Sequence, residues 1–120
     1  MKLAFSTSGD QLDAPLSPSF GRAPGFLIYD EETGAVSAID NAQNFQASQG
    51  AGIQAAQIIV KTGAAALITG HCGPKAFRVL DAASIKVFNT DAATVNEALV
   101  RYRAGQLTEA TSANIEGHWA

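Results

Sequence analysis

The chain has 120 residues, a length that points to one domain with a core of its own. Apolar residues make up 47% and charged residues 16%, a balance that excludes an intrinsically disordered chain. The net charge of −3 argues against general nucleic-acid binding, which needs a basic face, yet leaves room for a small anion in a local positive pocket.

Lys2 to Ser6 reads as a short buried strand. A long polar segment, Thr7 to Gly25, follows; a loop of that length in a compact domain is often functional. Phe26 to Tyr29 and Ala35 to Asp40 form a hairpin across the Asp30–Gly34 turn, where Gly34 suits a left-handed position. Asn41 to Gly50 is a second polar loop, with Phe45 as an anchor. Gly52 to Lys61 is predicted helical, with Ile53, Ala56 and Val60 on one face, Ile59 beside them and Gly63 as its stop. Ala64 to Thr69 is a buried strand by context.

Pro74 opens the next helix, where its missing N–H costs nothing, and Ala76, Phe77, Leu80 and Ala83 form its inward stripe. Lys86 to Phe88 is a fifth strand. Asp91 is expected to cap a third helix carrying Val95, Leu99 and Tyr102 inward, ended by Gly105. The order β-β-β-α-β-α-β-α predicts one α/β domain over residues 1–104. Its mixed five-stranded sheet has an antiparallel meander first, then parallel strands with right-handed crossovers, and helices on both faces. Residues 105–120 read as a tail, in which Trp119 covers apolar surface and His118 has no assigned role.

A lone cysteine forms no internal disulfide, and the opening apolar stretch is too short for a signal peptide. No apolar run approaches the roughly 20 residues that cross a bilayer, so a cytoplasmic protein with a reduced thiol and no membrane partner is expected.

Loops after parallel strands gather at one edge of such a sheet. Four segments should meet there: Thr7–Gly25, Asn41–Gly52, Gly70–Gly73 and Asn89–Thr90. His71 and Cys72 are the candidate metal ligands, since imidazole and thiolate suit soft or borderline metals. Arg22, Lys75 and Arg78 are the candidate cations. Gly50-Ala51-Gly52 and Gly70 to Gly73 are candidate amide cradles. A cationic rim favours a preassembled anionic metal–sulfur cluster over a bare divalent ion. One cysteine and two histidines fall short of a structural zinc set, and a four-cysteine ferredoxin is excluded.

Two other readings stay open. Cys72, five residues, then Arg78 matches the spacing of a cysteine-dependent phosphatase loop, although Pro74 removes an amide from the cradle and Val79 replaces the usual hydroxyl residue. The chain could also be an interaction module with no guest. Taken alone, Cys72 is as readily a small apolar filler, and His71 a satisfied loop histidine.

Several blocks carry a resemblance. They are Ser17-Pro18-Ser19-Phe20-Gly21-Arg22-Ala23, Gly50-Ala51-Gly52-Ile53-Gln54-Ala55-Ala56, Leu67-Ile68-Thr69-Gly70, Gly73-Pro74-Lys75-Ala76-Phe77 and Ile85-Lys86-Val87-Phe88. In this order, over about Met1 to Tyr102, the chain resembles the dinitrogenase iron–molybdenum cofactor biosynthesis family. The resemblance implies a ribonuclease-H-like fold and a non-enzymatic carrier of cofactor precursors. It implies as guest an iron–sulfur or iron–molybdenum precursor, or a molybdenum–copper sulfide cluster held largely without covalent bonds, as in orange-protein-like members. A cluster-assembly or iron–sulfur protein complex is the implied partner. His71-Cys72 departs from the family pattern, and the lack of an accessory domain favours a small standalone carrier.

Overall fold

The computed structural model describes residues 1–41 and 50–111, and these described residues form nine elements. They are β1 (Lys2–Thr7), β2 (Gly25–Asp30), β3 (Val36–Asp40), α1 (Ala51–Thr62), β4 (Ala66–Thr69), α2 (Pro74–Ala82), β5 (Lys86–Asn89), α3 (Val95–Arg103) and β6 (Thr108–Glu109). The sheet order is β3-β2-β1-β4-β5-β6. β2 lies antiparallel to β1 and β3, β4 and β5 continue parallel to β1, and β6 turns antiparallel onto β5.

The expected five strands are therefore six. β6 is two residues long and both are exposed, so it has no apolar alternation to announce it. Its neighbour secures it: the Ala110 N–H donates to the Val87 carbonyl at 2.7 Å, and Ala110 is buried. The expectations for Phe45, His118 and Trp119 lie outside the described residues.

Side-chain alternation gives the sheet two covered faces. Ala4, Phe26, Ile28, Leu67 and Val87 pack under α1 and α2 through Ala55, Ala56, Ile59, Phe77 and Leu80. Leu3, Phe5, Leu27, Tyr29, Ala66 and Ile68 pack under α3 through Val95, Ala98 and Leu99. Helices on both faces are thus present, two against one among the described residues. Gly34 and Gly63 adopt the positive φ expected of them, both 76°.

Three helix details differ from the sequence reading. Val60 is 39% exposed and sits over a shallow groove beside Val79 and Ala82, while Ala51 and Ala55 take inward places instead. Ala83 lies past the last turn of α2 and is exposed. The α3 cap is Thr94, not Asp91: its hydroxyl accepts the Glu97 N–H at 3.1 Å, and the Glu97 carboxylate reaches back to the Ala93 N–H at 3.1 Å. That Thr-x-x-Glu pattern satisfies two orphan donors, which a lone aspartate upstream does not. Asp91 instead accepts a 2.7 Å hydrogen bond from Arg101.

The segment between β1 and β2 is a packed arm rather than a free loop. Ala14, Leu16, Phe20 and Ala23 are buried. The Leu16 N–H donates to the Ala93 carbonyl at 3.1 Å, and the Val95 N–H returns to the Ala14 carbonyl at 3.0 Å. The Phe20 and Phe26 rings pack at a tilt of 36°, with centres 5.3 Å apart. Spaced apolar residues in a polar run lack strand or helix periodicity, so the pattern hides the packing.

Candidate functional site

β1 and β4 run parallel and end at the same edge, and a buried hydroxyl pair locks them there. Ser6 Oγ and Thr69 Oγ1 are 2.7 Å apart, and Ser6 Oγ donates to the Ser17 carbonyl at 2.8 Å. A hydroxyl has one proton, so Thr69 is the donor within the pair. The Ser17 N–H completes the clamp on the Ser6 carbonyl at 2.7 Å. The arm then runs beside the turn after β4. Ser19 bridges to His71 in parallel, and the Phe20 N–H donates to the His71 carbonyl at 2.9 Å.

Two glycines make this approach possible. A Cβ on Gly70 would stand 2.5 Å from the Pro18 carbonyl oxygen and 2.7 Å from Pro18 Cα. A Cβ on Gly21 would stand 3.0 Å from both Gly52 N and Gly52 Cα. Gly52 itself faces the Ala76 Cβ, 3.3 Å from where its own Cβ would be. The arm and the start of α1 therefore meet backbone to backbone, and the Ala76 methyl fills the contact between α1 and the start of α2.

Above this contact opens a cleft of about 760 Å³. Ser19, Phe20, Gly21 and Arg22 form one wall, Gly50 to Ile53 the second, and His71 with Gly73 to Ala76 the third. Both helix starts lack a side-chain cap and carry no acidic residue in the first turn. Their first-turn amides and dipole ends bring partial positive charge to the cleft. Arg22 and Lys75 add two full charges, and the lining contains no carboxylate among the described residues. Such a donor set suits an anion that accepts many hydrogen bonds.

Arg22, Gly50, Ala51, Gly52, His71, Gly73 and Lys75 are thus gathered around one space. Gly70 and Cys72 do not line it. Gly70 serves the contact with Pro18, and Cys72 is 1% exposed within the cluster of Phe20, Ala76 and Phe77. The Cys72 thiol lies 3.7 Å from the Gly73 carbonyl, and burial pushes its pKa up to about 12. A phosphatase nucleophile needs the opposite shift. Arg78 is exposed on α2 and lies outside the cleft lining, as do Asn89 and Thr90. Ser19, Phe20, Gly21, Ile53, Pro74 and Ala76 also line the cleft, though none of them was a candidate site residue. Ser19 and Gly21 stood inside the Ser17–Ala23 block, and that block was their signal.

No described helix is long and apolar enough to cross a membrane, and the described residues hold no cluster of three or more His, Cys, Asp or Glu fit for a bare metal ion. The chain is similar to several known proteins over most of its length. The orange protein of Desulfovibrio gigas, solved in its apo form, shares 43% identity and a TM-score of 0.88 over 92% of each chain. A Thermotoga protein named for NifB shares 34% identity and a TM-score of 0.79, over 90% of this chain and 91% of that one. An uncharacterised protein of Methanocaldococcus jannaschii is 28% identical over 109 residues, 89% of each chain. The packed arm, both helix starts and the turn after β4 all fall within residues 1–105, the span matched by the model of the dinitrogenase iron–molybdenum cofactor family, and the chain belongs to that family.

Proposed function

We propose that the cleft binds and carries an anionic metal–sulfur cluster, of the molybdenum–copper sulfide or iron–sulfur and iron–molybdenum precursor type. The observation that carries this reading is the convergence of two uncapped helix starts and two cations on one space with no lining carboxylate. Amides of Gly50, Ala51, Gly52 and Gly73 would meet the sulfides, Arg22 and Lys75 would balance the charge, and His71 is the side chain placed to ligate or hydrogen-bond. Cys72 enters as a terminal ligand only if its thiol leaves the core. The protein partner is read as a cluster-assembly or iron–sulfur protein complex. The sheet order 3-2-1-4-5, with only β2 reversed among these strands, supports a ribonuclease-H-like version of the fold.

Anaerobic incubation with tetrathiomolybdate and copper(I), or with iron and sulfide, tests the reading. Visible absorption that survives desalting is the expected result, weakened by Arg22→Glu with Lys75→Glu and kept in Cys72→Ala. A colourless desalted protein in both reconstitutions would sink it.

A further inference from the structure

Ile53 stands at the third position of α1, where helical spacing predicts it on one face with Ala56 and Val60. Among the described residues it joins neither core cluster. It is half-buried, and the surface it covers is the cleft. Pro74, half-buried at the first position of α2, lines another wall of the same space. Phe20, Ala51 and Ala76 line it as well but are buried, so Ile53 and Pro74 are the apolar side chains with appreciable surface left for a guest.

These two residues stand among groups that attract an anion. Arg22 and Lys75 supply charge, and the first-turn amides supply hydrogen bonds. Neither attraction separates a sulfur anion from an oxygen anion of equal charge. Size does not separate them either, since a space of about 760 Å³ is several times larger than one tetrahedral anion. What differs is the cost of leaving water. An oxyanion concentrates its charge on small oxygens and gives up strong hydrogen bonds to water on entering. The side chains of Ile53 and Pro74 return none of these, and Pro74 lacks even a backbone N–H. A sulfur-rich anion spreads its charge over large polarisable atoms, gives up less, and gains dispersion contact with the same carbons.

We propose that Ile53, assisted by Pro74, is the specificity-determining residue of the cleft, and that it selects weakly hydrated, sulfur-rich anions against strongly hydrated oxyanions of the same shape and charge. This selection rests on the cleft being an anion site, as proposed above, and adds the property by which it chooses. Hydration makes the choice, not a bond from His71 or Cys72 to a metal.

Anaerobic titration calorimetry with tetrathiomolybdate and with molybdate, two tetrahedral dianions, tests it. The wild type should bind the sulfur anion at least about ten-fold more tightly. Ile53→Thr should narrow that ratio about five-fold, and Ile53→Leu, which stays apolar, should keep it. Melting temperatures matching the wild type would show that both variants fold. A competition series then separates hydration from sulfur chemistry. Perchlorate, a weakly hydrated oxyanion, should displace tetrathiomolybdate at lower concentration than sulfate does at equal ionic strength, despite its smaller charge. This series uses the wild type alone, so it decides even where a variant melts early. An unchanged ratio in a folded Ile53→Thr would overturn the proposal, as would sulfate competing at least as well as perchlorate. Equal affinity of the wild type for both molybdenum anions would overturn it while leaving the anion-binding cleft in place. No binding of either would remove the anion reading of the cleft, and this selection with it.

Discussion

Gly70 and Gly73 bracket the same two residues but ask different things of a side chain. At Gly70 a Cβ would collide with the Pro18 backbone at 2.5 Å, and backbone cannot swing aside. Gly70→Ala is expected to cost about 2 kcal/mol or more, read as a lower urea midpoint with an unchanged slope. At Gly73 the backbone is extended, with φ at −70°, and a Cβ meets nothing within 4 Å. Gly73→Ala should stay within about 0.5 kcal/mol of the parent. The two residues between them also diverge, His71 toward the cleft and Cys72 into the core. Burial that pushes the Cys72 thiol to about 12 leaves little thiolate at neutral pH. Iodoacetamide should therefore modify the native protein at least about ten-fold more slowly than the urea-unfolded chain, as followed by mass spectrometry. Adjacent positions in a string of letters carry no sign of which one turns inward, and for this reason the sequence placed both at the site.

At the scale of elements, α3 shows how local chemistry outranks a plausible single residue. Thr94 and Glu97 cap its start, so Thr94→Ala should cost about 1 kcal/mol in thermal or denaturant unfolding. Arg101 reaches Asp91 at 2.7 Å and Glu97 at 2.6 Å, tying the last turn to the entry of the helix. The hydrogen bond from Arg101 holds the Asp91 carboxyl below its usual range. A depressed carboxylate pKa stabilises the fold fully above the unfolded value, and the effect fades as pH falls through the folded value. Acid titration of wild type against Arg101→Ala should show the difference in stability shrinking below about pH 4. The exposed pair makes this a small effect. Much of the regular structure was legible from sequence: β1, β2, β4 and, Ala83 apart, the inward stripe of α2 stand where the reading put them. The arm and β6 were not legible, because tertiary hydrogen bonds to Ser6, Ala93 and Val87 hold them rather than any repeat of their own.

Across the whole molecule, stability should fall from the middle of the sheet outward. β1 and β4 are buried over nearly all their length, whereas β3 is exposed and β6 has two residues. Amide exchange is expected to be slowest at Leu3 to Phe5 and Leu67 to Ile68, and faster by orders of magnitude in β3 and β6. Two of the cleft's three walls rise from the slow-exchanging centre, following β1 and β4, while the exposed strand β3 lies at the fast end. The molecule thus pairs a rigid pocket with a pliant margin. The family blocks in the sequence marked all three cleft walls, and in two of those walls a glycine, Gly21 or Gly52, makes a close contact that a side chain would disturb.

The meeting of Gly21, Gly52 and Ala76 leaves nothing larger than one methyl group between three stretches of chain. For anyone redesigning the pocket, this means that its base has no dial. Moving one helix start drags the other and the arm with it, so the base sets a fixed size. Ser19, Arg22 and Lys75 stand above that base. Tuning the guest's dimensions or charge is a matter of exchanging side chains at the mouth, and a library confined to these positions would sample selectivity while leaving the frame intact.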